Sequence, residues 1–224
     1  MDNELIEKIF PFIESSIGII EHGSTAMGFS NTDSDVDLVA VYKSSDVEKI
    51  DKLVVQIIDG VKYHIKNITI KEFETIISNF TDNLLNSKHD LNFLSGRILS
   101  GTVIKDTDKK LSQEIAHANK SIDFDLLYQK FYYQLLNDLK DLSIPNVYGR
   151  KIVIESIGDD LSFLLLIKNK ATSLNGKWIP QLIQSIAPDW LFKIYIQIRF
   201  STINISDSEV SLLVRKWVKY TNEL

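Results

Sequence analysis

The chain has 224 residues, of which 44% are hydrophobic and 25% are charged, and its formal net charge is −5. These values are typical of a globular protein with one large domain or two small ones, and they argue against a disordered chain. The acidic balance argues against a protein that binds duplex nucleic acid non-specifically. Because the chain contains no cysteine, disulfides, thiolate metal sites and cysteine nucleophiles are excluded.

The N-terminal residues MDNELIEKIF lack the basic and then apolar pattern of a secretory signal. The sequence also lacks an apolar run of the roughly 18–20 residues that a membrane span needs. We therefore expect a cytoplasmic protein that does not act at a membrane.

The first part of the chain alternates helix-like and strand-like patterns. Apolar residues at helical spacing predict helices over residues 4–15, 46–58, 71–79 and 84–94. Short runs rich in β-branched residues predict strands over residues 17–21, 36–42 and 61–70, and a short edge strand over 98–106. This mixture indicates a small mixed sheet with helices.

From residue 108 onward, long helical patterns dominate. The predicted helices cover residues 111–118, 123–142, 160–174, 181–186, 191–199 and 207–220. We therefore predict an α+β protein, in which an N-terminal α/β domain (residues 1–108) is followed by a C-terminal helical bundle (residues 109–224).

Two aspartates stand at the entrance of the predicted strand 36–42. Asp35 and Asp37 are two positions apart, so on a strand their side chains point to the same side. Two carboxylates this close repel each other unless a cation lies between them, and a pair of carboxylates together with nucleotide phosphates is a common way to hold Mg²⁺. A polar turn is the alternative interpretation, but it does not explain Asp37, which lies within an apolar run where an unpaired charge is unfavourable.

A Gly-Ser pair precedes the aspartates by a short loop. Gly23 ends a predicted strand, and Ser24 can open a short helix whose exposed backbone N–H groups, with the serine hydroxyl, favour an anion. Phosphate donors and a cation site would then face each other across a small cleft.

These residues resemble the nucleotidyltransferase superfamily that includes DNA polymerase beta and the antibiotic nucleotidyltransferases. The motif of that superfamily is an apolar strand, Gly-Ser, a loop and Asp-x-Asp within a strand, and it is matched here by Ile19, Ile20, Gly23, Ser24, Asp35 and Asp37. The resemblance implies that Asp35 and Asp37 bind Mg²⁺ carrying a nucleoside triphosphate and that Gly23 and Ser24 contact the terminal phosphates. The helical half is similar to the substrate-side bundle of the kanamycin- and streptomycin-type enzymes.

Active members of that superfamily usually place a third carboxylate on a neighbouring strand, but neither face of the predicted strand 61–70 carries an acid. Asn67 is the best-aligned position by spacing, although an amide cannot accept a proton. Three alternatives stay open: a carboxylate elsewhere in the first half, a base from the helical half, or lost catalysis.

Two residues of the helical half are candidates for the missing groups. Glu155 lies in an apolar strip and is a candidate base, whereas Gly158-Asp159-Asp160 is typical of a helix N-cap. Relatives often carry a basic residue just after Gly-Ser to hold phosphate, and none occurs at residues 25–27 here. Lys168 is the candidate substitute, with a solvated helix-end charge as the alternative.

The four histidines lack ligand spacing, so we assign no zinc site. The sequence predicts an enzyme, a Mg²⁺-dependent nucleotidyltransferase that uses a nucleoside triphosphate, with ATP favoured, and modifies a hydroxyl of a small-molecule acceptor such as an antibiotic or a metabolite. The alternative is a catalytically impaired nucleotide-binding or antitoxin-like regulatory protein that acts on a protein partner. Gly-Ser and Asp-x-Asp favour the enzyme, and the missing third acid favours the alternative.

Overall fold

The computed structural model describes residues 15–32, 34–43, 51–86, 94–174, 176–200 and 205–224. The chain divides into two compact units, Met1–Ile122 and Asp123–Leu224. The predicted boundary between residues 108 and 109 precedes this division by one helix, Lys110–Ser121, which belongs to the first unit. That helix is tied to the preceding strand, because the Asp106 carboxylate accepts a hydrogen bond of 2.9 Å from the backbone N–H of Leu111.

The first unit combines strands and helices. In chain order they are β1 (Ser16–His22), α1 (Gly23–Ala26), β2 (Val36–Tyr42), β3 (Leu53–Ile58), β4 (Val61–Thr69), α2 (Ile70–Ser78), α3 (Phe80–Asn86), α4 (Leu94–Leu99), β5 (Thr102–Asp106) and α5 (Lys110–Ser121).

The described part of the second unit is helical. Its α-helices are α6 (Phe124–Lys140), α7 (Val147–Lys168), α8 (Ile179–Ile186), α9 (Asp189–Phe200) and α10 (Asp207–Glu223). The predicted α+β class, with a mixed sheet and helices followed by a helical part, is confirmed.

The five strands form one mixed sheet in the order β3-β4-β2-β1-β5. Strands β2 and β4 are parallel, and the other neighbouring pairs are antiparallel. The central strands are covered on both faces, since Leu38 and Ala40 on one face of β2 and Val39 and Val41 on the other are all 0–1% exposed. This explains the nearly continuous apolar run of β2, within which Asp37 is the charged exception.

The predicted helix at residues 46–58 was wrong where the structure describes it, because β3 (Leu53–Ile58) is a strand. Asp59 and Gly60 have positive φ angles of 51° and 80°, the conformation of a two-residue hairpin turn, and they join β3 to β4 in an antiparallel pair. Asp-Gly between two apolar runs is the sequence signal for such a hairpin, and it overrides the helical spacing.

Two further boundaries differ from the prediction. The helix predicted at residues 84–94 is replaced by α3 and α4, with residues 87–93 outside the described part. The predicted edge strand 98–106 is shorter, because Ile98 and Leu99 end α4 and only Thr102–Asp106 joins the sheet, at its β5 edge. The helix predicted at residues 4–15 lies outside the described residues except for Ser15.

Helix α7 begins well before the predicted helix at residues 160–174. Its N-cap is Asn146, whose side chain accepts two backbone hydrogen bonds, so the predicted cap at Gly158-Asp159-Asp160 is wrong. Asp160 is 0% exposed in mid-helix, and the Asp159 carboxylate lies 3.1 Å from Nε of Arg199. Gly158 lets α9 approach, since a Cβ there would lie 3.1 Å from Cδ of Arg199.

Aromatic side chains fill the core of the second unit. Trp217 is 0% exposed and its indole N–H donates a hydrogen bond of 2.8 Å to the carbonyl of Leu161. The rings of Phe131 and Phe163 pack with their centroids 4.8 Å apart. A buried indole whose N–H is satisfied in this way fixes α10 against α7.

Candidate active site

The predicted Gly-Ser pair begins the short helix α1, directly after β1. Gly23 has a φ of +78°, which side-chain-bearing residues rarely adopt, and a Cβ built on it would lie only 2.6 Å from Oδ2 of Asp37. The close approach of backbone and carboxylate therefore requires glycine. It places Gly23 immediately beside Asp37, one of the two predicted metal ligands.

The loop between α1 and β2 is held by its own hydrogen bonds. The Phe29 N–H donates to the Ser24 carbonyl at 2.8 Å, and the hydroxyl of Thr25 donates to the Asp35 carbonyl at 3.4 Å. These contacts fold the segment after Ser24 back toward the start of β2. Gly-Ser and Asp-x-Asp, which are 11 or more positions apart in the sequence, thus meet at one end of the sheet.

The imidazole ring of His64 lies close to both aspartates. Its Nδ1 lies 3.4 Å from Oδ1 of Asp37 and 3.7 Å from Oδ2 of Asp35. Because one imidazole nitrogen is close to both carboxylates, the two acids converge as the sequence spacing predicts. The ammonium group of Lys62 also lies 3.5 Å from Oδ2 of Asp35.

Strand register explains the position of His64. In the parallel pair of β2 and β4, Asp37 is directly opposite His64, and in the antiparallel pair of β1 and β2 it is opposite His22. Residues directly opposite each other point to the same face of a sheet. A histidine therefore stands on the neighbouring strand where the superfamily's third carboxylate was expected. His64 and Asn67 are three positions apart and so lie on opposite faces of β4, but only the register shows which face is shared with Asp37.

Asn67 is not brought together with the aspartates. It is paired with Ala40, on the face opposite to Asp37, and is 4% exposed. Its amide group donates a hydrogen bond of 2.7 Å to the carbonyl of Asp51. This contact gives Asn67 a structural role in holding the residues that precede β3.

His22, on the other side of Asp37, is 5% exposed, and its Nδ1 has no hydrogen-bond partner among the described residues. Burial lowers the pKa of His22 to about 4; Asp37 opposes this shift, and the positive charges of Arg97 and Lys66 add to it. The imidazole is therefore neutral at pH 7. Two cations that the sequence did not indicate, Lys66 and Arg97, line the same cavity as His22 and Asp37.

Asp35 and Asp37 suit a hard divalent cation that the phosphate oxygens of a substrate also bind. Asp35 and Asp37 offer oxygen ligands on converging side chains, about a third exposed, which is the donor type that Mg²⁺ prefers. In the described part of the chain, no three histidine, aspartate or glutamate side chains are arranged to hold a metal ion by themselves. Two protein carboxylates completed by substrate phosphates and water match this arrangement.

Glu155 and Lys168 belong to the second unit. The Glu155 carboxylate lies 3.8 Å from the ammonium group of Lys151, one helical turn earlier, and both side chains are exposed. The Lys168 ammonium group lies 5.0 Å from the centre of the Tyr128 ring. Their suggested roles as base and phosphate ligand stay predictions.

Among the helices that the structure describes, none is long and apolar enough to cross a bilayer.

Comparison with known protein families returned a match over part of the chain. Residues 4–89 match the family described as "Nucleotidyltransferase domain". This confirms the resemblance to the nucleotidyltransferase superfamily and supports nucleotide transfer in general; a specific similarity to the kanamycin- and streptomycin-type enzymes was not confirmed.

A crystal structure described as a nucleotidyltransferase-like protein from Exiguobacterium sibiricum 255-15 is similar over 98% of this chain and 72% of its own, at 13% sequence identity and a TM-score of 0.45. The comparison with curated protein sequences returned no match.

Proposed function

We propose that the nucleotidyltransferase domain of the first unit transfers a nucleoside monophosphate from a nucleoside triphosphate, with ATP favoured, to a hydroxyl group of a small-molecule acceptor, in a Mg²⁺-dependent reaction. One observation carries the proposal: the carboxylates of Asp35 and Asp37 lie 3.7 and 3.4 Å from the same atom, Nδ1 of His64, and Asp37 lies close against Gly23. A carboxylate pair next to an anion-binding turn is the arrangement that Mg²⁺-assisted phosphoryl chemistry needs.

In this mechanism Asp35 and Asp37 would hold the metal, and Gly23 and Ser24 would hold the β- and γ-phosphates through backbone N–H groups and the serine hydroxyl. A Mg²⁺ ion held there would neutralise charge on the triphosphate and polarise its α-phosphorus. The acceptor oxygen forms a bond to the α-phosphorus. At the same time the bond between the α-phosphorus and the oxygen that bridges it to the β-phosphorus breaks, and pyrophosphate leaves.

The hydroxyl proton passes to water, which reaches the site because both aspartate side chains are about one-third exposed. Most of the rate enhancement then comes from alignment and charge stabilisation, so the lack of a third acid lowers the rate without abolishing the reaction. Glu155 and Lys168, both in the second unit, take no part in this mechanism. Their suggested roles as base and phosphate ligand stay predictions, which mutation of those residues tests.

Pyrophosphate release from each labelled nucleoside triphosphate, measured with Mg²⁺ across a panel of hydroxyl acceptors, tests the proposal. We expect release by the wild-type chain, at least about 100-fold less release by Asp35→Asn and Asp37→Asn, and wild-type release by Asp82→Asn, an exposed aspartate on α3. Release that survives both active-site substitutions would refute the assignment.

A nucleotide-binding regulatory protein is the second candidate, and one observation favours it. The residue opposite Asp37 is His64, where active members of the superfamily are expected to carry an acid. If the chain binds Mg²⁺-nucleotide with a dependence on Asp37 but releases no pyrophosphate with any acceptor, this candidate replaces the enzyme.

A further inference from the structure

A cavity of about 350 Å³ opens beside Asp37, on the same face of the sheet. Four polar residues, His22, His64, Lys66 and Arg97, line it together with Asp37. Of the described residues that line the cavity, none belongs to α1, and Asp35 is not among them. Among the described residues of the lining, Asp37 alone belongs to the proposed metal site, so the cavity adjoins that site at Asp37.

Strand pairing shows how the cavity is built. His64 is opposite Val55 and Lys66 is opposite Leu53 in the antiparallel pair of β3 and β4, so all four side chains point to the face that carries Asp37. Leu53 and Val55 are 63% and 51% exposed, which is unusual for two large apolar residues beside a charged site. They add exposed apolar surface directly beside the polar residues of the cavity.

The polar wall suits an anion. Lys66 and Arg97 contribute two positive charges, and arginine can donate paired hydrogen bonds to phosphate oxygens. His22, buried and with Nδ1 lacking a partner among the described residues, adds a neutral group that can donate or accept one hydrogen bond. Together with the carboxylate of Asp37, these two cations leave the lining with a net positive charge, which favours an anionic group such as a phosphate monoester.

From this arrangement we infer that the cavity is the acceptor site and that the acceptor is a phosphorylated small molecule, with its phosphate group on Lys66 and Arg97 and its carbon skeleton against Leu53 and Val55. This inference rests on the proposed transfer reaction and narrows its acceptor. With the donor phosphates at Gly23 and Ser24, an acceptor hydroxyl in the cavity can approach the metal site from the side of Asp37 and His64.

Binding of ribose 5-phosphate, with ribose as the uncharged match, tests the site by calorimetry on the full chain. Titrations are made without metal and then with saturating Mg²⁺ and a non-hydrolysable ATP analogue. We expect ribose 5-phosphate but not ribose to bind, with or without the analogue. Lys66→Gln should weaken binding about tenfold or more, and Lys71→Gln, an exposed lysine at the start of α2, should leave it unchanged.

The inference would be overturned if ribose 5-phosphate did not bind, if ribose bound equally well, or if Lys66→Gln bound ribose 5-phosphate normally. Competition by the ATP analogue would also overturn it, because the cavity would then be part of the donor site. Arg97→Gln is a second variant, to be used if thermal unfolding shows that it folds. Because Lys66 is exposed, we expect Lys66→Gln to fold, and its binding of ribose 5-phosphate is sufficient to test the site.

The pyrophosphate assay separates this inference from the proposed function. If the chain turns over ATP only with unphosphorylated acceptors, the acceptor assignment fails and the transfer reaction stands. If ribose 5-phosphate binds as expected but no acceptor supports pyrophosphate release, the transfer reaction fails.

Discussion

Replacing Gly23 by alanine should disable the metal site while leaving the fold intact. Two effects add. The φ of +78° disfavours any side chain by about 1–2 kcal/mol, and the new Cβ would lie 2.6 Å from Oδ2 of Asp37. That oxygen must retreat by about 0.8 Å to reach the 3.4 Å at which ordinary contact begins. Such a shift is large beside a Mg–O distance of about 2.1 Å.

Gly28→Ala is the matched control. Gly28 also has a positive φ, +72°, but a Cβ there would meet nothing within 4 Å. Both variants should therefore lose about 1–2 kcal/mol of unfolding free energy, or roughly 2–8 °C in Tm. Only Gly23→Ala should also lose about 10–100-fold in affinity for Mg²⁺-ATP, because only it displaces a metal ligand.

Calorimetry with Mg²⁺-ATP and thermal unfolding of the two variants, measured side by side, give both quantities. Equal nucleotide affinity of Gly23→Ala and Gly28→Ala would refute the reasoning, because the contact with Asp37 would then have no part in binding. A Tm loss in Gly23→Ala alone would show that the steric contact affects the fold and would contradict the equal conformational cost assumed for the two glycines.

Three stability changes should also be measurable. Burial lowers the pKa of His22 from 6.5 to about 4, so as the pH falls the unfolded state binds the proton before the folded state does. The unfolding free energy should therefore fall by about 3 kcal/mol between pH 6.5 and 4. This fall should be smaller in His22→Asn. Trp217→Phe removes the hydrogen bond to Leu161 and should cost about 2–4 kcal/mol in chemical denaturation. Glu72→Ala removes the capping box with Thr69 and should lower unfolding free energy by about 1 kcal/mol.

Each of these changes has a control on the same chain. His117→Asn replaces an exposed histidine and should leave the acid dependence unchanged, so a similar flattening in both variants would contradict the assignment to His22. Trp190 is 47% exposed, and Trp190→Phe should cost less than about 0.5 kcal/mol. Glu74→Ala, which removes an exposed ion pair with Lys110, should cost less than Glu72→Ala; the reverse order would exclude the capping explanation.

The sequence by itself determined the parts of this protein that depend on neighbours along the chain. Gly23-Ser24 and Asp35-x-Asp37 lie within 15 residues of one another, and their spacing predicted converging carboxylates beside a glycine turn. The strands at residues 36–42 and 61–70 and the helices of the second half were also predicted, because apolar periodicity is a local signal.

Tertiary structure decided what lies opposite Asp37. Strand register is a non-local property, and a shift by one residue would have turned His64 and Lys66 to the other face and Asn67 toward the aspartates. Arg97 joins the same cavity from α4, 60 positions beyond Asp37, which no local pattern could indicate. The motif was therefore readable from the sequence, whereas the histidine and the cations around it follow from how the strands pair.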